Sequence, residues 1–448
     1  MGMKIVIAGA GDMGYHLAER LSFDNKDIVM IDTDKDVLDN VSSHLDVLTI
    51  VGDATSLEIL QTAGVNEAHM VMAVTTSEKT NIVTAALAKQ LGAKRVIARV
   101  RTHDYLTPDH EVYFNQIGID NIISPTMLCS TEIKRMLQNS SFTDVFEFEE
   151  GKLNVVGITL DQYSSLVNRA ISEMSQDLIF KDIRIIAIVR DQITIIPRGN
   201  TIIRNNDHVF FISNKKAVES ILELLGQKKV TIKNVMIIGG DDMAYATALK
   251  LENDYRVTLV HKDKERCKWL SERLDNTLVI NGDYKNIDLL IEEGLEEMEA
   301  FISVTESSET NIITSLTAKN HGVYKTIAHV DTREYIHISH SIGVDSLINK
   351  KLVAANQITR FLRKGNVEAV SGIYGVDAEF IQYVITKNNR VTRKSLKDLH
   401  FPETAIVAGV IRGNQVYIPD GDFTLQIDDK AIVFALPNAK SSLEKLFH

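Results

Sequence analysis

The stretch VIAGAGDMGYHLAERL, Val6 to Leu21, runs from a short apolar strand through Gly9, Gly11 and Gly14 into an amphipathic helix. Glycines spaced G-x-G-x-x-G between a strand and a helix are the fingerprint of a dinucleotide-binding turn. Gly9 permits the tight turn, Gly11 lets the backbone approach a pyrophosphate, and Gly14 allows the helix to pack closely. Around Asp12 and Met13 the first backbone N–H groups of the helix and its dipole then face the anion. Asp32 ends the second apolar run, near the spacing of about 20 residues expected for the acidic partner of this turn. A carboxylate there binds both ribose hydroxyls and repels a 2′-phosphate, which favours NAD(H) or an adenosine nucleotide over NADP.

A second stretch, VMIIGGDDMAYATALKL from Val235 to Leu251, is a damaged copy of the first. Gly9 to Tyr105 lies on Gly239 to Tyr335 at an offset of about 230 residues, the length of a duplicated domain and not of a solenoid repeat. VGDATSLEILQTAGV meets NGDYKNIDLLIEEGL, VTTSEKTNIVTAALAKQLG meets VTESSETNIITSLTAKNHG, and ARVRTHDY meets AHVDTREY. The copy keeps Gly239 and the Gly282–Asp283 pair. It carries Asp241 where the second glycine stood, Ala244 for the third, His261 for Asp32 and His329 for Arg99. Asp241 puts a side chain where a pyrophosphate needs bare backbone, so weak or altered binding, or a purely structural half, is expected there.

Within the first copy, apolar runs near Lys4–Ala8, Ile28–Asp32, Val47–Val51, Met70–Thr75, Arg95–Val100 and Asn121–Ile123 alternate with helical patterns near Met13–Leu21, Lys35–Ser42, Ser56–Ala63, Lys79–Leu91 and Asp109–Gln116. Short, nearly all-apolar strands between helices predict a parallel sheet covered on both faces, the doubly wound α/β architecture. The chain divides into a Rossmann-like unit over 1–125, a connecting helix over 126–140, a small α+β unit over 141–228, a degenerate Rossmann-like unit over 229–349, a second connecting helix over 350–365 and a second small unit over 366–448. Each small unit predicts four strands and a closing helix. They share a signature: Pro197, Gly199 and Asp207 match Pro419, Gly421 and Asp429, a P-x-G pair and an acidic turn before a strand that suit a tight connection.

The 448 residues carry a formal net charge of −11 and two cysteines, Cys129 and Cys267. An acidic chain is a poor candidate for nucleic-acid binding, which rests on Lys and Arg neutralising phosphates. Few cysteines fit a reducing cytoplasm. The 13 histidines show no metal-ligand spacing, and no apolar run approaches the ~18 residues of a membrane span. A soluble, cytoplasmic chain without a metal site is expected.

Further candidates lie at the ends of the other strands. Asp53, with Ala54 beside it, either bonds the adenosine ribose or caps the helix that follows. Thr75 and Thr76 end the fourth strand at the topological switch point, where a nucleotide's phosphates lie; Thr76 or Ser77 can equally be a helix cap. Arg99 and Arg101, two residues apart and so on one side of the chain, either hold a phosphate or form a solvated edge or subunit contact. The segments after each Rossmann-like unit offer no His/Asp, Lys/Tyr or Cys/His constellation that would position an acid or base beside a nicotinamide. No catalytic residue is assigned, although an NAD-dependent oxidoreductase is the alternative class.

GAGDMG, VMID, VGDAT, VTTSEKTN and ARVR, together with a nucleotide-binding unit and a small C-terminal unit repeated in tandem, resemble the TrkA family. These are cytosolic regulatory subunits of the Trk potassium uptake system with tandem RCK modules. The resemblance spans the whole chain. It implies NAD(H) and ATP or ADP as ligands, a homotetrameric ring, and a TrkH-type integral membrane potassium channel as partner. By position it places Gly9, Gly11, Gly14, Asp32, Asp53, Thr75, Arg99 and Arg101 in the first site and leaves the second in doubt. A nucleotide sensor serving a different membrane transporter is the remaining alternative.

Overall fold

The computed structural model describes residues 3–22, 27–148, 151–174, 180, 182–191, 193–214, 217–226, 230–331, 343–362, 367–372 and 378–447. The chain forms two compact units: residues 1–131 with 349–358, and residues 132–348 with 359–448.

The first unit holds β1 (Lys4–Ala8), α1 (Asp12–Ser22), β2 (Asp27–Asp32), α2 (Lys35–His44), β3 (Leu48–Val51), α3 (Leu57–Thr62), β4 (Met70–Ala73), α4 (Glu78–Gln90), β5 (Val96–Arg99), α5 (Pro108–Gln116) and β6 (Asn121–Ile123). The strands form one parallel sheet in the order β3-β2-β1-β4-β5-β6. The order reverses between β1 and β4, so their C-terminal ends open a crevice at the switch point. KIVIA, IVMI and MVMA are apolar on both faces because helices cover both faces, and Val6, Ile31, Val71 and Ala98 are among the residues of the core beneath one helical layer. Edge strand β3 reads LTIV and stays partly exposed. Asp34 caps α2 by accepting from the Asp36 and Val37 amides at 2.9 and 3.2 Å. The helix α6 (Pro125–Gln138) then leaves this unit.

The second unit opens with a small antiparallel sheet of β7 (Asp144–Phe148), β8 (Leu153–Thr159), β9 (Ile183–Arg190), β10 (Ile193–Ile195) and β11 (His208–Asn214), in the order β10-β9-β11-β8-β7, with α7 (Ile171–Met174) and α8 (Val218–Leu224). It continues with β12 (Asn234–Ile238), α9 (Asp242–Leu251), β13 (Arg256–His261), α10 (Lys264–Ser271), β14 (Thr277–Asn281), α11 (Ile287–Glu292), β15 (Ala300–Ser303), α12 (Ser308–Asn320), β16 (Lys325–His329) and β17 (Ser346–Ile348). Those strands repeat the first sheet's order, β14-β13-β12-β15-β16-β17. It ends with β18 (Val367–Gly372), β19 (Glu379–Val384), β20 (Ala405–Arg412), β21 (Gln415–Tyr417) and β22 (Lys430–Ala435), paired β18-β19-β22-β20-β21, and a closing helix Lys440–Phe447. Thr332–Tyr335, the end of the repeat alignment, and Arg363–Lys364 of the second connector lie outside the described residues.

Each small sheet has five strands where four were expected. The additions are β7 and β18, each an edge strand hydrogen-bonded antiparallel to its chain neighbour. The two small sheets share a core. Phe146, Phe148 and Phe210 of one pack with Phe380, Ile411 and Phe434 of the other, the Phe148 and Phe380 rings 5.2 Å apart edge to face. Gly409 permits this approach, since a Cβ there would fall 2.7 Å from Leu153 Cδ1. The acidic turn residues turn inward. Asp207 is fully buried and takes both Nε and Nη2 of Arg190 at 2.7 Å; Asp429 takes the same atoms of Arg412 at 2.7 and 2.8 Å.

Candidate functional site

The glycine turn is built as its spacing predicts. Gly9 has φ +105°, and a Cβ there would stand 2.8 Å from the Thr75 amide nitrogen. Gly14 has Gly9 O where its Cβ would be, at 1.8 Å, so α1 packs directly on the turn. Nothing lies within 4 Å of a Cβ built on Gly11, and the first amides of α1 open on that space. Met13 is buried beneath it and Asp12 is exposed at the rim. The Asp12 carboxylate meets Lys351 Nζ at 2.6 Å, and that hydrogen bond holds it below the usual carboxylate range. Lys351 belongs to the connecting helix Lys350–Leu362 of the second repeat, an attachment no spacing pattern announces.

Asp32 does more than end β2. Its Oδ2 accepts from the Ala10 amide at 2.6 Å and its Oδ1 from the Asp34 amide at 3.0 Å, so the acid expected at a ribose also holds the glycine turn. Asp53 is exposed and closes a turn on Thr55, accepting from its amide and its hydroxyl at 2.8 Å each; both bonds lower its pKa. It does not cap α3, whose N-cap position is Ser56. Ala54 is buried. Thr76 is exposed, and the cap of α4 is Ser77, which accepts from the Thr80 amide.

Thr75 is organised by Asn81, a residue that sequence reasoning did not single out. Asn81 is fully buried. Its Oδ1 accepts from the Thr75 amide and hydroxyl at 2.8 and 2.7 Å, and its Nδ2 donates to the carbonyls of Thr75 and Arg99 at 3.0 and 2.9 Å. One side chain thus ties the end of β4 to the end of β5. Its signal was present in the sequence: VTTSEKTN and VTESSETN end in the same asparagine, and Asn311 repeats all four bonds in the second copy.

The strand β5 stops at Arg99, and Arg101 lies just beyond it. Glu78 fastens this end by accepting from the Arg101 and Thr102 amides and the Thr102 hydroxyl; burial acts to raise its pKa, but these bonds prevail and lower it. Arg99 is half-buried, and burial followed by repulsion from Arg101 lowers its pKa. Among the described residues no carboxylate stands within ion-pair distance of either guanidinium. Glu78 attracts Arg101 from a distance, and Arg99, half-buried with no carboxylate in contact, is the guanidinium suited to an external anion.

The second crevice fills itself. Asp241 accepts from the Met243 and Ala244 amides at 3.0 Å each, so its carboxylate holds the helix amides that remain open in the first copy. The His261 ring occupies the space against Gly240, where a Cβ would meet it at 2.5 Å, and lies near the Tyr284 ring at a 28° interplanar angle. Arg266 Nε donates to the Gly240 carbonyl. His329, in Arg99's place, is buried with its Nε2 3.6 Å from Asp331.

Among the described residues no helix is long and apolar enough to cross a membrane. The TrkA-N domain family matches residues 5–125 and 235–350, and the TrkA-C domain family matches 155–226 and 380–448. The chain is 33% identical over 448 residues to the Trk system potassium uptake protein TrkA homolog of Archaeoglobus fulgidus, covering 99% of this chain and 100% of that one. It is 30% identical to the Trk system potassium uptake protein TrkA of Halomonas elongata, covering 99% and 98%. A solved structure of the GsuK channel bound to NAD shares the fold at TM-score 0.60 and 15% identity, covering all of this chain and 79% of that one. With both domain families matched twice and relatives aligned end to end, this chain belongs to the TrkA family.

Proposed function

We infer that this chain is a regulatory subunit of potassium transport and that its first crevice is the nucleotide port. One observation carries the reading. A Cβ at Gly11 would meet nothing within 4 Å, so no side chain covers the first helix amides, whereas the duplicate caps the same amides with Asp241; two strands over, at the end of β5, Arg99 has no carboxylate in contact among the described residues. A pyrophosphate satisfies both the amides and the guanidinium. Asp32 holds the turn and presents its carboxylate to a ribose, while Asp53 and Ala54 flank the adenosine end and Thr75 and Thr76 the phosphates. The ligands are NAD(H) and the adenine nucleotides ATP and ADP; structures of GsuK, which shares the fold, are described with NAD and with ADP bound.

The partner is a TrkH-type integral membrane channel, with the chain forming a homotetrameric ring at its cytoplasmic face and no chemistry done on the nicotinamide. A ligand gates such a ring only by binding one conformation better than another. ATP reaches Arg99 and Arg101 with a phosphate that ADP lacks. A differential of about 1–3 kcal/mol shifts gating roughly 5–150-fold. Potassium flux through the reconstituted channel and this protein is expected to differ between ATP and ADP, and Arg99→Ala with Arg101→Ala to abolish the difference. Equal flux with both nucleotides bound overturns the mechanism.

A further inference from the structure

A cavity of about 520 Å³ lies in the second unit, at the end of the second parallel sheet opposite its crevice. Lys325, the first residue of β16, lines it and is fully buried. Its Nζ donates to the Phe142 carbonyl at 2.6 Å. Among the described residues it makes no second hydrogen bond and no carboxylate stands within ion-pair distance. Two ammonium hydrogens therefore remain at the cavity, and a buried ammonium is costly unless paired.

The charged groups around it are committed elsewhere. Both Asp345 oxygens bind Lys319 Nζ, at 2.6 and 2.8 Å, and Oδ2 also accepts from the Thr326 amide and hydroxyl. Asp144 Oδ2 stands 2.9 Å from His208 Nε2 and accepts from the Thr143 hydroxyl at 2.9 Å. Lys325 thus has no carboxylate in contact, and Asp345 and Asp144 act on it only from a distance. Thr159 and Tyr324 add hydroxyls to its wall. The fold itself does not demand a buried cation here: the matching position in the first sheet holds Arg95, which is only half-buried.

We propose that this cavity is a second ligand site, taking the oxyanion group of a small metabolite, a carboxylate or a phosphate ester, on the Lys325 ammonium. The site is independent of the glycine-turn crevice and of what binds there. Burial lowers the Lys325 pKa to about 8, against the pull of Asp345 and Asp144 and with a small push from Lys319. Anion binding therefore needs the protonated form and weakens as pH rises through that value.

Sulfate and malonate are the probes, titrated calorimetrically into the full chain carrying Gly11→Asp, Arg99→Ala and Arg101→Ala to remove the anion-binding groups of the first crevice, at pH 7 and pH 9. One anion per chain is expected, about tenfold weaker at pH 9, the drop in protonated Lys325 across that interval. Adding Lys325→Met is expected to weaken it at least about tenfold, with no loss of melting temperature because a buried charge is removed. Tighter malonate assigns a carboxylate, and tighter sulfate a phosphate ester. Selenate soaked into crystals of the unmodified chain is expected to give an anomalous peak at Lys325 Nζ. Absence of that peak, or anion binding unchanged by Lys325→Met, overturns the proposal.

Discussion

Gly11→Asp writes into the first crevice the residue its own duplicate carries. A Cβ at Gly11 meets nothing within 4 Å, and Gly11 does not have the positive φ of Gly9, so the side chain enters without strain. Asp241 shows where the carboxylate goes: onto the two amides that correspond to Met13 and Gly14, at 3.0 Å each. As a helix cap this contributes about 1 kcal/mol of stability. The same two amides are lost to the pyrophosphate. Two hydrogen bonds to a charged group are worth about 1.5–3 kcal/mol each, so about 3–6 kcal/mol of binding disappears before the repulsion between carboxylate and phosphate is counted. At about 1.4 kcal/mol per factor of ten, affinity for NADH and ATP falls at least about 100-fold while the melting temperature holds or rises. Calorimetric titration measures the first and circular dichroism the second. NADH affinity within about threefold of the parent, in a variant that melts normally, refutes the placement of the pyrophosphate on α1.

Asn81→Ala leaves the Thr75 and Arg99 backbone groups without their partner and is expected to cost about 2–5 kcal/mol in urea unfolding. Asn311→Ala costs a similar amount, but only Asn81→Ala also weakens nucleotide binding. Asp207→Ala strands the Arg190 guanidinium and costs about 3–5 kcal/mol, part of which the further change Arg190→Ala restores; equilibrium unfolding of the single and double variants measures both. Lys325 has a folded pKa near 8 against 10.5 unfolded, so the unfolded chain binds the extra proton between those values and stability rises with pH across the window. The gain is up to about 3 kcal/mol and vanishes in Lys325→Met, as pH-dependent denaturation of the two proteins measures.

Much of the architecture was legible in the chain. KIVIA, DIVMID and MVMA are apolar without alternation because a parallel sheet is buried on both faces, and that pattern is local. The glycine roles were equally legible, since a positive φ at Gly9 and a helix resting on Gly14 are demands of the turn itself. The sequence also placed a side chain, Asp241, where the first turn has bare backbone, and the structure puts its carboxylate on the Met243 and Ala244 amides. It did not show β7 or β18. DVFEF reads as a weak strand, and Phe146 and Phe148 find their reason only in Phe380 and Phe434, more than 200 residues away. The partners of the site were decided in the same way. Asn81 under Thr75 and Arg99, Lys351 on Asp12 and the isolation of Lys325 each depend on segments that no spacing rule connects. Periodicity reports which face of an element is buried. Which polar group meets which, and which charge is left without a partner, depends on distances that exist only once the chain has folded.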